Sequence, residues 1–354
     1  MRFFIQTFFP RFSRYRLNAI LIADLLNVRY LSGFTGTNGL ILITKKQKFF
    51  FTDSRYTEQA KQEVKGFALV RSDRDLFNTI LKILPPKKLR RLGFAAGATA
   101  YAQYLRLQKG LPGVTLVPMT EDPAEWRIIK TKIEIEKVAK ALAINKLAWA
   151  EIRPQIKPGA KEIDIARKLE CALLKHGAER IGFDTIVASG WRGALPHGKA
   201  SDKKIRAGEL VTIDFGGVYQ GYHADETVTI GVGKLTPKQK MIWQIVYDAQ
   251  LYAMEKVRPG VKCSDIDKAA RDYIAKQGYG KYFGHALGHG VGLEVHERPV
   301  LSPTSKDILA AGMVFTIEPG IYLPGWGGAR LEEVFVCNKN GPHQLTQIDK
   351  KLFL

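Results

Sequence analysis

Leu210-Val211-Thr212-Ile213-Asp214-Phe215-Gly216-Gly217 sets a carboxylate inside an apolar strand, where a buried charge without a partner costs several kcal/mol. Eleven residues on, Tyr222-His223-Ala224-Asp225-Glu226-Thr227-Val228-Thr229-Ile230 opens a second strand with another carboxylate. The Gly-rich stretch between them predicts a hairpin. Two carboxylates on adjacent strands suit a hard divalent cation.

Downstream, His285-Ala286-Leu287-Gly288-His289-Gly290-Val291-Gly292-Leu293-Glu294-Val295-His296-Glu297 gathers three of the seven histidines among glycines that permit close backbone approach. Phe315-Thr316-Ile317-Glu318-Pro319-Gly320-Ile321-Tyr322 again buries a glutamate in an apolar strand, stopped by Pro-Gly. In Ala329-Arg330-Leu331-Glu332-Glu333-Val334-Phe335, Glu332 shares a strand face with Arg330 and Val334, so Glu332 is expected to point inward with Arg330 supporting it. Four carboxylates and a histidine on converging strands describe a two-metal site.

In this order the five segments resemble the pita-bread metallopeptidases, and within them the Xaa-Pro peptidases, aminopeptidase P and prolidase. Asn27-Val28-Arg29-Tyr30-Leu31-Ser32-Gly33-Phe34-Thr35-Gly36 and Thr52-Asp53-Ser54-Arg55-Tyr56 resemble that subgroup's additional N-terminal domain. The resemblance implies that Asp214 chelates one metal, that Asp225 and Glu332 bridge both, and that His289 and Glu318 complete the second. It implies manganese, and the donor set also fits Co or Zn. Two dications would activate water and stabilise an oxyanion, with Glu318 as general base. Gly190-Trp191-Arg192-Gly193-Ala194-Leu195-Pro196-His197-Gly198 matches the family's substrate-side histidine at His197, and His296 matches another at the scissile peptide. His285 would line the proline-side pocket, and Arg330 would hold a ligand from behind. His176 and His223 read as structural and His343 as exposed. A homodimer is the family expectation.

The implied architecture is an α/β N-terminal domain, residues 1–120, followed by an α+β pita-bread catalytic domain, 121–354, with pseudo-twofold related halves. The repeat P-G-x-K-x-x-D-I at Pro158–Ile165 and Pro259–Ile266, offset by 101 residues, supports two related halves, each copy leading into an amphipathic helix. Those helices are expected to end near His176-Gly177 and Gln277-Gly278. In the first domain, strands are read at Ala19–Ile22, Gly39–Thr44, Lys48–Thr52 and Phe67–Val70, and helices at Tyr56–Val64 and Asp73–Leu84 before the breaker Pro85-Pro86. A connecting helix is read over 121–152, with Ile133, Val138, Ala141, Ile144 and Leu147 as its apolar stripe.

With 354 residues, 45% hydrophobic and 25% charged, the composition excludes a disordered or fibrous chain. There is no apolar run of membrane-spanning length, and three widely spaced cysteines form neither a disulfide framework nor a zinc site. The charge of +20 is concentrated N-terminally, with 20 Lys and Arg against 6 acids in residues 1–120. Without a nucleic-acid-binding motif this reads as a solvated surface rather than a polyanion site. The first sixteen residues are basic, but Pro10 and the lack of a Ser-rich stretch argue against a transit peptide. A cytoplasmic location is expected.

Dipeptide-preferring prolidases often carry an arginine after the His-Glu-x-Pro segment, where it pairs with the substrate's carboxylate. Here His296-Glu297-Arg298-Pro299 is followed by Val300. That departure favours an Xaa-Pro aminopeptidase acting on longer peptides, with the Xaa-Pro dipeptidase as alternative and Arg298 as a substitute charge. A noncatalytic binding module is the distant alternative, which the complete ligand set opposes.

Overall fold

The computed structural model describes residues 8, 10–73, 76–83, 89–120 and 123–352. Two compact units divide the chain, Met1–Arg127 and Ile128–Leu354. In the first, β1 (Ala19–Ile22), β2 (Gly39–Thr44), β3 (Lys48–Thr52), β4 (Ala68–Arg71), β5 (Arg91–Ala95) and β6 (Thr115–Met119) form one mixed sheet in the order β4-β3-β2-β1-β5-β6. Its central strands are buried on both faces: Ile20, Ile41 and Phe50 pack into one cluster, Leu21, Leu42 and Phe51 into the other. This is why these strands are apolar throughout rather than alternating. Lys45, Lys46, Lys61, Lys65, Arg90 and Lys109 are exposed, so much of the basic excess is solvated.

The helices of this unit are α1 (Leu25–Ser32), α2 (Thr57–Glu63), α3 (Leu76–Ile83) and α4 (Tyr101–Gly110). The sequence reading has no helix at α1. Asp24 starts it by accepting from the Asn27 N–H at 2.8 Å, and Gly33, at φ 81°, ends it. The helices expected over Tyr56–Val64 and Asp73–Leu84 are α2 and α3; Leu84, Pro85 and Pro86 lie outside the described residues, as do Arg2 and the other residues up to 7.

The second unit begins with α5 (Lys132–Ile152), later than the reading over 121–152. Thr131 and Glu134 form a reciprocal capping box that sets its start. Its buried stripe includes Val138, Ala141, Ile144, Asn145, Ala148 and Trp149, whereas Ile133 and Leu147, read as core, are exposed. Then come α6 (Glu162–Lys175), β7 (Arg180–Ile181), β8 (Ile186–Ser189), β9 (Glu209–Phe215), β10 (Gly217–Tyr219), β11 (Tyr222–His223) and β12 (Glu226–Val232). The second half holds α7 (Pro237–Met254), α8 (Cys263–Lys276), β13 (Gly288–Gly290), β14 (Glu297–Leu301), β15 (Val314–Ile317), β16 (Gly320–Leu323), β17 (Gly327–Arg330), β18 (Glu333–Asn338) and β19 (Gly341–Gln344).

The repeat is realised bond for bond. Gly159 and Gly260 take φ 92° and 88°, and their N–H groups donate to Ile205 O and Leu309 O. Lys161 bridges Lys204 as Lys262 bridges Ile308. Gly177 and Gly278, at φ 105° and 85°, follow the ends of α6 and α8. Each half also keeps its own core, one built on Ile144, Leu169, Ile213 and Val228, the other on Ile242, Ile266, Phe315 and Phe335. This is the pita-bread fold with pseudo-twofold halves. No helix among the described residues is long and apolar enough to cross a membrane.

Candidate functional site

The antiparallel pair β9–β12 sets Thr227 opposite Asp214, and β15 with β18 brings Glu318 and Glu332 to the same place from the other half. The ligand atoms of Asp214, Asp225 and Glu332 lie within 4.8 Å of one another, as do those of His289, Glu318 and Glu332 and those of Asp225, His289 and His296. All five expected ligands therefore converge, and His296, read on the substrate side, also reaches the cluster, its ring centroid 4.2 Å from that of His289. The cluster lines a cavity of about 410 Å³ together with Phe183, Ile186, His197, Lys199 and His285.

Side-chain orientations are set by partners that leave the metal-facing atoms clear. His289 Nδ1 lies 3.1 Å from Gly290 O, so that nitrogen carries the proton and Nε2 faces Glu318 at 3.2 Å and Asp225 at 3.6 Å. Thr316 Oγ1 donates to Glu318 Oε1 at 3.2 Å, and Thr227 Oγ1 to Glu332 Oε2 at 2.8 Å. Asp214 Oδ1 and Glu332 Oε1 are buried without a hydrogen-bond partner. Inside a protein such atoms call for a partner the chain does not supply.

Electrostatics agree. Burial, and then the charges of neighbouring carboxylates, push Asp225 and Glu332 well above the ordinary carboxylate range. Asp214 also rises through burial, although Arg330 opposes this. Burial works against a charged His289, yet Glu318 pulls it up to about 9. Burial would likewise raise Glu318, but the hydrogen bond with His289 brings it below its usual value. Crowding thus disfavours the charged form of Asp214, Asp225 and Glu332 unless a cation offsets it, and the donor set of carboxylate oxygens and one imidazole fits divalent metal.

Arg330 departs from the sequence reading: it holds Asp214, not Glu332. Its Nη2 donates to Asp214 Oδ2 at 2.7 Å, its Nη1 to Pro196 O and Tyr322 Oη at 3.0 Å each, and its Nε to Thr227 Oγ1 at 3.1 Å. Arg330 ends β17 and Glu332 lies in the link to β18, so strand-face alternation does not hold between them, and Arg330 reaches Asp214 on β9 instead. His285 Nδ1 lies 2.7 Å from Ala286 O and so carries the proton, leaving Nε2 to accept from Tyr322 Oη at 2.8 Å. Burial lowers the pKa of this imidazole. With both nitrogens engaged, His285 offers the cavity its ring, edge-on to Phe283 at 5.0 Å. His197 lines the cavity and is exposed. His223 is buried and bonded to Gly292 O, while His343 is exposed.

Thr227, Thr316, Tyr322 and Gln250 were not singled out from sequence. The two threonines sit two residues from Asp225 and Glu318, a period-2 Thr–acid pattern that does carry a signal. Gln250, buried on α7, donates from Nε2 to Ile317 O at 2.8 Å and Leu331 O at 3.2 Å, gripping the chain just before Glu318 and Glu332. Nothing local in the sequence marks it. Thr227→Val keeps shape but removes both the bond to Glu332 and the acceptor of Arg330 Nε, and should weaken metal affinity about 10-fold or more. Titration of metal-stripped protein with Mn, followed calorimetrically, measures it; unchanged affinity would show that Glu332 needs no such support.

Fold and site together define a metallopeptidase of the pita-bread class. Residues 136–339 match Metallopeptidase family M24 and residues 5–129 match the Creatinase/Prolidase N-terminal domain. The chain belongs to Metallopeptidase family M24 and is a metallo-exopeptidase, which sets aside the noncatalytic reading. It is 41% identical to an Xaa-Pro dipeptidase of Pyrococcus horikoshii, over 95% of this chain and 94% of that one. The solved Xaa-Pro dipeptidase from Bacillus anthracis superposes with a TM-score of 0.94 at 39% identity, covering 98% of this chain and 97% of that one. An X-Pro aminopeptidase from Thermotoga maritima gives 0.91 at 38% identity, over 97% and 99%.

Proposed function

We propose that this enzyme is an Xaa-Pro dipeptidase, a prolidase, that uses two divalent ions, manganese by preference, and works as a homodimer. One observation carries the reading: a cavity of about 410 Å³ has the five metal donors on its wall and an imidazole ring, His285, presented beside them. The named relatives weigh toward dipeptidase rather than the aminopeptidase suggested by Val300. Arg298, the substitute charge that would have served a dipeptidase in place of Val300, is instead paired with Asp307, whose other oxygen accepts from the Val300 N–H at 3.0 Å, so the substrate's carboxylate must be met from elsewhere.

Asp214, Asp225, His289, Glu318 and Glu332 hold the metals, which when bound supply an activated water and charge stabilisation for the tetrahedral intermediate. Glu318 takes the proton from the attacking water and passes it toward the leaving imino nitrogen. His197 and His296, exposed to the cavity, hydrogen-bond the scissile peptide and orient it. His285 packs its ring against the pyrrolidine, which a recognition site must grip by shape because an imide has no N–H. Phe183, Ile186 and Val295 shed water from that wall.

The test is hydrolysis by metal-stripped protein re-supplied with Mn, comparing an Xaa-Pro dipeptide with an Xaa-Pro-Yaa tripeptide. Activity should vanish on chelation, return with Mn, and favour the dipeptide at least tenfold in kcat/KM. A preference for the tripeptide would restore the aminopeptidase reading.

A further inference from the structure

A dipeptidase must recognise a free carboxylate one residue beyond the scissile bond, and neither position 300 nor Arg298 offers it a charge. Besides histidines, the cations lining the cavity among the described residues are Arg330 and Lys199. Arg330 is committed to Asp214, Pro196, Tyr322 and Thr227. We propose that Lys199 is the specificity-determining residue that receives the substrate's C-terminal carboxylate, an inference that rests on the dipeptidase reading above.

The backbone places Lys199 where this is possible. Lys199 bridges Ile186, and Ile186 pairs across β8–β9 with Asp214. All three line the cavity, so Lys199 stands two strand spacings, about 10 Å, from a metal ligand. The carboxylate carbon of a bound dipeptide lies about one residue, ~3.8 Å, from its scissile carbonyl, and an extended lysine side chain spans most of the remaining gap. The segment is anchored: Arg192 donates to Lys199 O and is gripped in turn by Glu162, whose side chain is wholly buried. His197, two residues earlier, lines the same cavity.

Lys199 already binds a carboxylate. Its Nζ lies 2.7 Å from Asp184 Oδ2, and Asp184 also lines the cavity. Both side chains of this pair are largely solvent-exposed, at 80% and 73%, so the pair is weak and exchangeable. A dipeptide carboxylate, held also through its scissile bond, can displace Asp184. The neutral peptide group of a longer substrate cannot, and Lys199 then stays with Asp184. Selection for dipeptides is thus a competition between two carboxylates for one ammonium.

The experiment uses the Mn-loaded full-length enzyme with Ala-Pro, Ala-Pro amide and Ala-Pro-Ala. Wild type should favour Ala-Pro over its amide at least tenfold in KM. Lys199→Met should raise KM for Ala-Pro about tenfold with a smaller change in kcat, and collapse the acid-to-amide preference. Lys199→Arg should keep most of that preference, and Asp184→Asn should lower KM for Ala-Pro. An acid-to-amide preference that survives Lys199→Met overturns the assignment of Lys199 while leaving the dipeptidase reading intact. A wild type that cleaves only Ala-Pro-Ala overturns both.

Discussion

Glu318→Gln should lower kcat for an Xaa-Pro dipeptide by roughly 1,000-fold or more while the protein stays folded. Two effects combine. Amide would replace the base proposed to accept the water's proton, a role worth about 10²–10⁴ in rate, and a neutral oxygen would replace one carboxylate of the cluster proposed to hold the dications. Because Glu318 faces His289 Nε2 at 3.2 Å, the amide also removes the negative partner that draws this histidine up to about 9. The control is metal content measured on the same sample. Loss of turnover with both metals retained isolates the proton-transfer role, whereas loss of metal assigns Glu318 chiefly to coordination. Activity within tenfold of wild type with full metal would remove Glu318 from the mechanism.

The second large effect concerns stability. Lys130 Nζ lies 2.5 Å from Glu297 Oε1, and each side chain is only 1% exposed. Lys130 is fixed by its N–H to Gly312 O at 2.8 Å, and Glu297 packs against Gly292 and directly follows His296. Removing one member of such a pair strands the other charge in the interior, at about 3–5 kcal/mol. Lys130→Met should therefore lower the melting temperature by about 10 °C, and Lys130→Met with Glu297→Gln should recover much of the loss, since neither charge is then orphaned. Thermal denaturation of the two variants measures this. A single-variant loss under about 1 kcal/mol, or no recovery in the double variant, would mean that Lys130 and Glu297 do not stabilise the fold as a pair.

How far the site could be read from sequence depended on range. Acids set in or at the ends of apolar strands stand out because such segments have no use for them unless something binds there, so Asp214 within β9, and Asp225, Glu318 and Glu332 beside β12, β15 and β18, stood out as candidates. The repeated P-G-x-K-x-x-D-I segment was legible for a similar reason, as the glycine's positive φ and the following helix start are local events. The expected capping near Gly177 and Gly278 succeeded on the same ground. The start of α5 was read too early: the apolar stripe read for it begins only at Ile133, Pro123–Trp126 form a separate short 3-10 turn, and residues 121 and 122 lie outside the described residues. Only the Thr131–Glu134 capping box decides where the helix begins.

The pairing of Arg330 shows the other limit. Strand alternation assigned it to Glu332, on its own segment, while in the folded chain it crosses to Asp214, 116 residues away. Arg298 invited a substrate role by its place beside His296, and Asp307 takes its charge instead. Gln250 left no mark at all, since a glutamine on an amphipathic helix is ordinary until its amide is found between Ile317 O and Leu331 O. The sequence by itself marked the candidate ligands, the two-half plan and the family, because these depend on residue type at short spacing. Only the tertiary structure decided which cation meets which acid and which lysine lines the cavity, because charges pair through space with whatever the packing of distant strands brings within reach.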